Sequence, residues 1–164
     1  VLLRVPPIDI YKEAIEDLGF RSVSIPYAEL YQALQTGVAD GWAGGPPVAN
    51  YHDVGDILTH YYQYNDYFEM VPILMNMDKW EEIGEENQKI IQEAAHEVMT
   101  ESFERAEKDD QEYMDKMKEN GIKIITFSDE ELKAFADHVR KTTWPKLKDK
   151  LGEDIYNGLI QSYE

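Results

Sequence analysis

The amino-acid sequence predicts an α/β fold in which short strands alternate with helices, followed by one very long helix and a helical C-terminal part. Short apolar or alternating runs at 2–5, 21–25 and 38–42 are separated by two amphipathic helical patterns. That order is typical of a parallel sheet covered by helices. Neither Pro nor Gly interrupts 85–120, which predicts a single helix there. Helical patterns also fill most of 128–164.

Composition limits the classes of function. The chain has 164 residues, in the usual range for a single domain, and its 43% hydrophobic content is enough for a core. With 33 acidic and 16 basic residues it carries a net charge of -17, which opposes binding to phosphate backbones and anionic membranes. Nucleic acid is therefore excluded as a partner. The absence of cysteine removes disulfides, thiolate metal sites and cysteine nucleophiles.

The stretch YAELYQALQTGVADGWAGGPP at 27–47 organises the first half of the chain. It predicts a short helix, a stop at Gly37, a strand at 38–42 and then a loop at 44–47 that is poor in side chains. Such a loop, just beyond the carboxyl end of a strand, is a common place for a small molecule to bind. We therefore expect a ligand site beside this loop.

Three side chains near this loop are candidates for ligand binding. Arg4 interrupts the first apolar strand, and its planar guanidinium suits a carboxylate, although a lone arginine in a strand is also compatible with an edge position. Tyr27 and Trp42 follow or end strands. Each is compatible either with core packing or with the wall of a pocket, where the indole of Trp42 has an N–H to donate.

The second half of the chain begins with the aromatic run HYYQYNDYF at 60–68. An apolar run at 71–77 predicts a strand, and a helix at 84–120 would be on the order of 50 Å long. Because that length exceeds the diameter of a small domain, this helix must bridge separate parts of a molecule. A strand is predicted at 122–127, and the sequence at 128–131 is typical of a helix N-terminal cap.

No catalytic or metal-binding constellation is evident. The four histidines show no metal-ligand spacing, the glycine-rich loop lacks the Lys-Ser/Thr of a phosphate cradle, and no serine lies in a nucleophile elbow. We therefore predict that the chain is not an enzyme, uses no cofactor and has no metal-ligating residues, while the sequence leaves open whether a metal ion assists binding.

Three motifs resemble one known family. The run PYAELYQALQTGVADG, preceded by LLRVPP and followed by NMDKWEEIGEENQKIIQEAA, is similar to the DctP-like extracytoplasmic solute receptors of tripartite ATP-independent periplasmic (TRAP) transporters. The resemblance covers nearly the whole chain. It implies an α/β, type II periplasmic binding protein-like lobe with a long lobe-spanning helix and C-terminal helices, with the first lobe, the natural start and any leader missing.

The resemblance also implies a division of the chain and roles for individual residues. Residues 1–79 would form the C-terminal ligand-binding lobe, 80–127 the spanning helix and return strand, and 128–164 the helices that pack against the missing lobe. Arg4 lies where these receptors hold the substrate carboxylate, and Tyr27 where an aromatic packs on the ligand. The same resemblance places Tyr64, Asn65 and Asp66 near the ligand.

One position departs from the family pattern. Many relatives read D-G-Q-E-N-P where this chain reads D-G-W-A-G-G-P, so Gly44 replaces an asparagine that touches the ligand. Glycine enlarges the pocket and leaves only backbone for hydrogen bonding. This indicates an organic acid that differs from the usual ones or is bulkier.

The resemblance implies a receptor that captures a small carboxylate in the periplasm, closes two lobes around it and delivers it to TRAP membrane permease subunits. Two alternatives remain open: a hydrolase or transferase that uses the same cleft, and the ligand-sensing effector domain of a regulator. Because the long helix and the C-terminal helices would expose apolar surface without a first lobe, the isolated chain is expected to self-associate as a dimer and to bind ligand weakly.

Overall fold

A computed structural model describes residues 1–65 and 69–162 of the chain. Within these ranges the strands are β1 (Leu2–Val5), β2 (Arg21–Ser24), β3 (Gly41–Trp42), β4 (His60–Tyr62) and β5 (Lys123–Ile125). The helices are α1 (Asp9–Asp17), α2 (Leu30–Gln35), α3 (Pro47–Val54), α4 (Met77–Glu82), α5 (Gly84–Glu119), α6 (Asp129–Thr142), α7 (Trp144–Leu151) and α8 (Glu153–Gln161). The predicted α/β fold with one long helix is confirmed.

The first half of the chain forms a parallel sheet with the strand order β2-β1-β3. The central strand β1 is the most buried, and Val5 at its carboxyl end is fully buried. Register pairs Arg4 with Val23 on one side and with Trp42 on the other. The carboxyl ends of the three strands therefore meet at one edge of the sheet, where Tyr27 also follows β2 in sequence.

The strand predicted at 38–42 is shorter in the structure, where β3 contains only Gly41 and Trp42. A 3-10 turn precedes α2, whose Leu30 and Ala33 are buried. After Gly37, with φ +74°, the N–H groups of Val38 and Ala39 both return to the carbonyl of Ala33, at 2.9 and 3.2 Å. Because these donors end the helix, they are not available to the sheet, and the strand begins only at Gly41.

The long helix α5 has two different halves. Near its C-terminal end, Met117 is fully buried, and Tyr113 packs its ring on Tyr51 of α3 at 5.6 Å. Towards its N-terminal end, Ile91 and Val98 lie seven residues apart on one helical face and are 41% and 62% exposed. With 36 residues, α5 is about 54 Å long. It extends well beyond the surface that covers its C-terminal half.

The predicted strand at 71–77 is wrong. Residues 71–76 form no regular element, and Val71, Ile73 and Leu74 are strongly exposed. Nothing in the described part of the chain pairs with this segment, so its backbone has no ladder to join. The apolar run is followed directly by α4, which Asn76 caps by accepting a hydrogen bond from the Lys79 N–H at 3.1 Å.

The C-terminal helices pack back on α1. The predicted cap of α6 is confirmed, because Ser128 and Glu131 form a reciprocal capping box. Asp17 at the end of α1 accepts hydrogen bonds from Thr143, at 2.9 Å, and from Lys146. These contacts join α1 to the loop between α6 and α7 and to α7 itself. Of the helices described, none combines the length and apolar character that a membrane span requires.

Candidate functional site

Arg4 is the charged group at the centre of the candidate site. Its side chain is buried, with only 2% exposed, and its Nε donates a hydrogen bond to the carbonyl of Ile25 at 2.8 Å. Among residues 1–65 and 69–162 this is its one hydrogen bond, so both Nη atoms have no partner there. Burial lowers the pKa of Arg4 below its usual value, yet an arginine remains charged at neutral pH. A buried cation with free donors favours an anion.

Two aromatic rings flank this guanidinium. The Arg4 Cζ lies 5.6 Å from the ring centre of Tyr27 and 5.9 Å from that of Trp42. The two rings meet edge to face, 6.0 Å apart, with an angle of 63° between their planes. Each ring is close enough for a cation–π interaction. The rings therefore hold the cation in place and use none of its N–H donors.

The hydroxyl of Tyr27 connects the site to α3. It donates a hydrogen bond to Asp53 Oδ2 at 2.5 Å. Burial and then this carboxylate raise the pKa of Tyr27 to about 12, and the nearby charge of Glu69 also raises it. Tyr27 therefore remains a neutral donor throughout the physiological pH range, and half of its surface is exposed.

Asn50 fixes both Trp42 and the glycine-proline loop, and sequence reasoning missed it. This side chain is buried, accepts a hydrogen bond from Trp42 Nε1 at 3.1 Å, and donates to the carbonyls of Gly45 and Pro46 at 2.9 and 3.1 Å. The Trp42 N–H is therefore occupied within the chain, and the indole offers its faces instead. An asparagine in the first turn of a helix that follows a loop was the available signal.

The loop requires glycine at Gly45. Its φ is +72°, and a Cβ atom placed there would lie 2.5 Å from Cη2 of Trp42, so any other residue would displace the indole. Gly44 also has a positive φ, of 129°. The two glycines let the backbone pass directly beside Trp42.

Tyr64 and Asn65 lie in a different setting. Tyr64 stacks on Phe127 and Phe135 with ring centres 4.5 and 4.8 Å away, so it joins β4 to the C-terminal helices. Asn65 is exposed and has a positive φ of 52°. Asp66, the third residue of this group, lies outside the described residues. The ligand contacts of Tyr64 and Asn65 stay a prediction.

The site around Arg4 has the character of a binding surface for a small anion. It combines one buried cation, two aromatic walls and a backbone loop. No cluster of His, Cys, Asp or Glu suitable for holding a metal ion occurs in 1–65 or 69–162.

Comparison with known proteins identifies the family of this chain. The family model described as bacterial extracellular solute-binding protein, family 7 (DctP) matches residues 1–148. A solute-binding protein of Chromohalobacter salexigens is 30% identical over 130 residues, which cover 77% of this chain and 38% of that protein.

Solved structures match over almost the whole chain. A TRAP periplasmic solute binding protein from Shewanella oneidensis, with bound succinate, gives a TM-score of 0.80 at 20% identity. The match covers 100% of this chain and 54% of the Shewanella protein. A TRAP periplasmic solute binding protein from Desulfovibrio salexigens, with bound orotic acid, gives a TM-score of 0.79 at 22% identity. That match covers 99% of this chain and 52% of the Desulfovibrio protein. The chain thus has the fold of about half of these type II periplasmic binding proteins. It belongs to the DctP family of bacterial extracellular solute-binding proteins.

Proposed function

We propose that this chain is the C-terminal lobe of a periplasmic receptor that captures a small organic acid and delivers it to the membrane subunits of a TRAP-type transporter. The observation that carries the proposal is the buried Arg4, whose Nη atoms have no partner among the described residues. A ligand carboxylate supplies two acceptors in the geometry that a guanidinium prefers.

The remaining parts of the site define the rest of the ligand contact. Tyr27 and Trp42 provide apolar walls, and the family resemblance implies that the backbone at Gly44 approaches the ligand in place of an asparagine side chain. In relatives of the same fold, the bound molecules are carboxylic acids such as succinate and orotic acid. Tyr64 and Asn65, which follow β4, are retained as candidate contacts.

The mechanism that we propose is binding without turnover. Residues 1–79 hold the ligand carboxylate, 80–127 form the connection between lobes, and 128–164 pack against a first lobe. Closure of the two lobes removes the bound carboxylate from water and strengthens its interaction with Arg4. The closed form is then recognised by the membrane subunits.

The test uses the full-length gene product. Mass spectrometry of compounds released on denaturation identifies the bound acid, and titration calorimetry then measures its affinity. The Arg4→Lys variant keeps the charge and loses the two parallel hydrogen bonds, so we expect affinity to fall by about 2–3 kcal/mol, roughly 100-fold. Thermal stability without ligand should change little.

Two results would contradict the proposal. Unchanged affinity together with early melting of the ligand-free Arg4→Lys protein would make Arg4 a structural residue. Conversion of the added acid to product in excess of the protein present would identify an enzyme, whereas a receptor returns the acid unchanged.

We also infer that the isolated chain self-associates as a dimer through α5. The support is the exposed apolar face that includes Ile91 and Val98, because apolar patches of this kind favour association. Light scattering over a range of concentrations should show a dimer, and the Val98→Glu variant should shift it towards monomer. A mass that stays monomeric at every concentration would exclude self-association.

A further inference from the structure

We propose that Asp53 is a positioning residue of the Arg4 site, because its hydrogen bond holds the Tyr27 ring against the guanidinium. The inference rests on the proposed function, since it concerns the same anion site. In the described part of the chain Asp53 and Arg4 share no hydrogen bond. Asp53 therefore orients the site through the phenol ring and not by direct contact with the guanidinium.

Packing alone does not fix the orientation of the Tyr27 ring. The side chain is 49% exposed and belongs to the 3-10 turn Tyr27–Glu29, so several of its rotamers are sterically open. Its hydroxyl lies at the end of the side chain farthest from the backbone and donates to Asp53 Oδ2 at 2.5 Å. This bond selects the orientation in which the ring centre lies 5.6 Å from the Arg4 Cζ.

The helix that carries Asp53 holds both aromatic walls of the site. Asn50 and Asp53 lie three residues apart on one face of α3. Asn50 accepts a hydrogen bond from the Trp42 N–H at 3.1 Å, and Asp53 accepts one from the Tyr27 hydroxyl. The polar atom of each ring is therefore bound by α3, and one helix orients both walls.

The position of α3 is itself fixed by packing. Val54 is fully buried. On another side of the helix, the Tyr51 ring lies 5.6 Å from that of Tyr113 in α5, and His52 Nε2 lies 3.3 Å from the Tyr113 hydroxyl. Support from such a packed element preorganises a binding site. The anion then does not have to order the Tyr27 ring when it binds.

The charge and the position of Asp53 have opposite consequences for a bound anion. Its carboxylate repels an anion, so charge alone predicts tighter binding when Asp53 is replaced by alanine. Loss of the Tyr27 orientation predicts weaker binding. Asp53→Ala therefore separates the two effects by the sign of the change. Asp53→Asn removes the charge but keeps an oxygen that accepts from the Tyr27 hydroxyl, so it should restore binding.

The experiment follows the Arg4 Nε–H signal of the full-length gene product by nuclear magnetic resonance, with acetate as the probe anion. Without acetate, Asp53→Ala and Tyr27→Phe should each move this signal, because a displaced ring changes its ring-current shift. Asp53→Asn should leave it near the wild-type position. The dissociation constant for acetate should rise about threefold in Asp53→Ala and in Tyr27→Phe. The double variant should show no further rise, because the two side chains act as one unit.

Asp56→Ala is the matched control. Asp56 is also exposed and accepts a hydrogen bond from the Tyr31 hydroxyl at 2.7 Å, so this variant removes the same charge and the same kind of hydrogen bond. Because Tyr31 forms neither of the aromatic walls around Arg4, the Arg4 signal and the affinity for acetate should both stay unchanged.

The outcomes separate this inference from the proposed function. An Arg4 signal that does not move in Asp53→Ala would overturn the positioning role, and so would acetate binding that is equal or tighter in that variant. Additive losses in the double variant, or a loss in Asp53→Asn as large as in Asp53→Ala, would also overturn it. If acetate does not shift the Arg4 signal of the wild-type protein, the proposed function is contradicted, and the acetate-free signals alone decide the role of Asp53.

Discussion

Two parts of the molecule hold a charged side chain largely away from water, and they balance its charge differently. Asp17 receives hydrogen bonds from Lys146 and Thr143, and the Lys146 bond holds the pKa of its carboxyl below the usual value. The Arg4 side chain donates one hydrogen bond, to the carbonyl of Ile25, and otherwise contacts the rings of Tyr27 and Trp42. A charge that is balanced inside the chain stabilises the fold, whereas one left with free donors is suited to a ligand.

The two aromatic clusters show the same contrast. Tyr64 lies between aromatic rings, stacked on Phe127 and Phe135 within 5 Å. Tyr27 and Trp42 enclose a cation, and one of them is half exposed. Aromatic composition alone therefore does not distinguish packing from binding. The presence of an unbalanced charge between the rings does.

The largest expected effect on stability comes from removing the packed ring. Tyr64→Ala deletes a ring that stacks on Phe127, between β5 and α6, and on Phe135 of α6, so the free energy of unfolding should fall by about 3 kcal/mol. Urea denaturation measures this loss. Tyr62→Ala is the control, because Tyr62 is 52% exposed and its ring centre lies 6.4 Å from that of Tyr64. The Tyr62→Ala variant should lose much less free energy of unfolding.

The same variant also tests the ligand role that the family resemblance assigns to Tyr64. Calorimetry at a temperature where Tyr64→Ala remains folded separates the two roles. A loss of affinity as large as that of Arg4→Lys would place Tyr64 in the site, and unchanged affinity would limit it to packing.

A second prediction concerns the support of the Arg4 site. Asn50→Asp keeps an acceptor for the Trp42 N–H and removes the donor that holds the carbonyls of Gly45 and Pro46. It also places a charge in a buried position, so we expect the free energy of unfolding to fall by about 2 kcal/mol. Ligand affinity should fall as well, because the loop and the indole lose their shared anchor.

Asn87→Asp provides the control for this substitution. Asn87 is exposed and donates a hydrogen bond to the carbonyl of Ile83 at 2.7 Å. Water replaces that bond when it is lost, so the cost should be small. Equal losses from the two variants would show that burial of Asn50 does not matter.

The sequence predicts local features better than it predicts packing partners. The limits of α5 follow from the absence of Pro and Gly, and the capping box at Ser128 follows from short-range hydrogen bonds. The segment at 71–77 fails because an apolar run predicts a strand only where another strand is available to pair with it. Asn50 was missed for a related reason. Its partners include the carbonyls of Gly45 and Pro46 in a turn, and the spacing of residues in the sequence does not predict the geometry of that turn.

The site was predicted in part for the same physical reason. The parallel sheet was predicted, whereas the strand order β2-β1-β3, which brings Arg4 and Trp42 side by side, is seen only in the structure. The direction of the Trp42 N–H depends on a single buried side chain, and no pattern in the sequence fixes it. The contact between Tyr27 and Asp53 likewise joins two elements 26 residues apart.

The smallest expected effect on stability comes from Asp17→Asn, which tests the contrast between the paired charge of Asp17 and the unpaired charge of Arg4. Asp17→Asn removes a carboxylate held by Lys146 and Thr143, and we expect a loss of about 1 kcal/mol in the free energy of unfolding at pH 7, with unchanged ligand affinity. Because the folded pKa of Asp17 is depressed, its contribution is present above the unfolded pKa of about 3.9 and is lost as pH falls through the folded value. The difference between wild type and variant should therefore shrink below about pH 4.

Urea denaturation at pH 7, 5 and 3 measures this difference in the free energy of unfolding, with Glu112→Gln as a control that removes an exposed ion pair within α5. A difference that stays constant down to pH 3 would show that the charge of Asp17 adds nothing to stability, and the contrast with Arg4 would then rest on the aromatic rings alone.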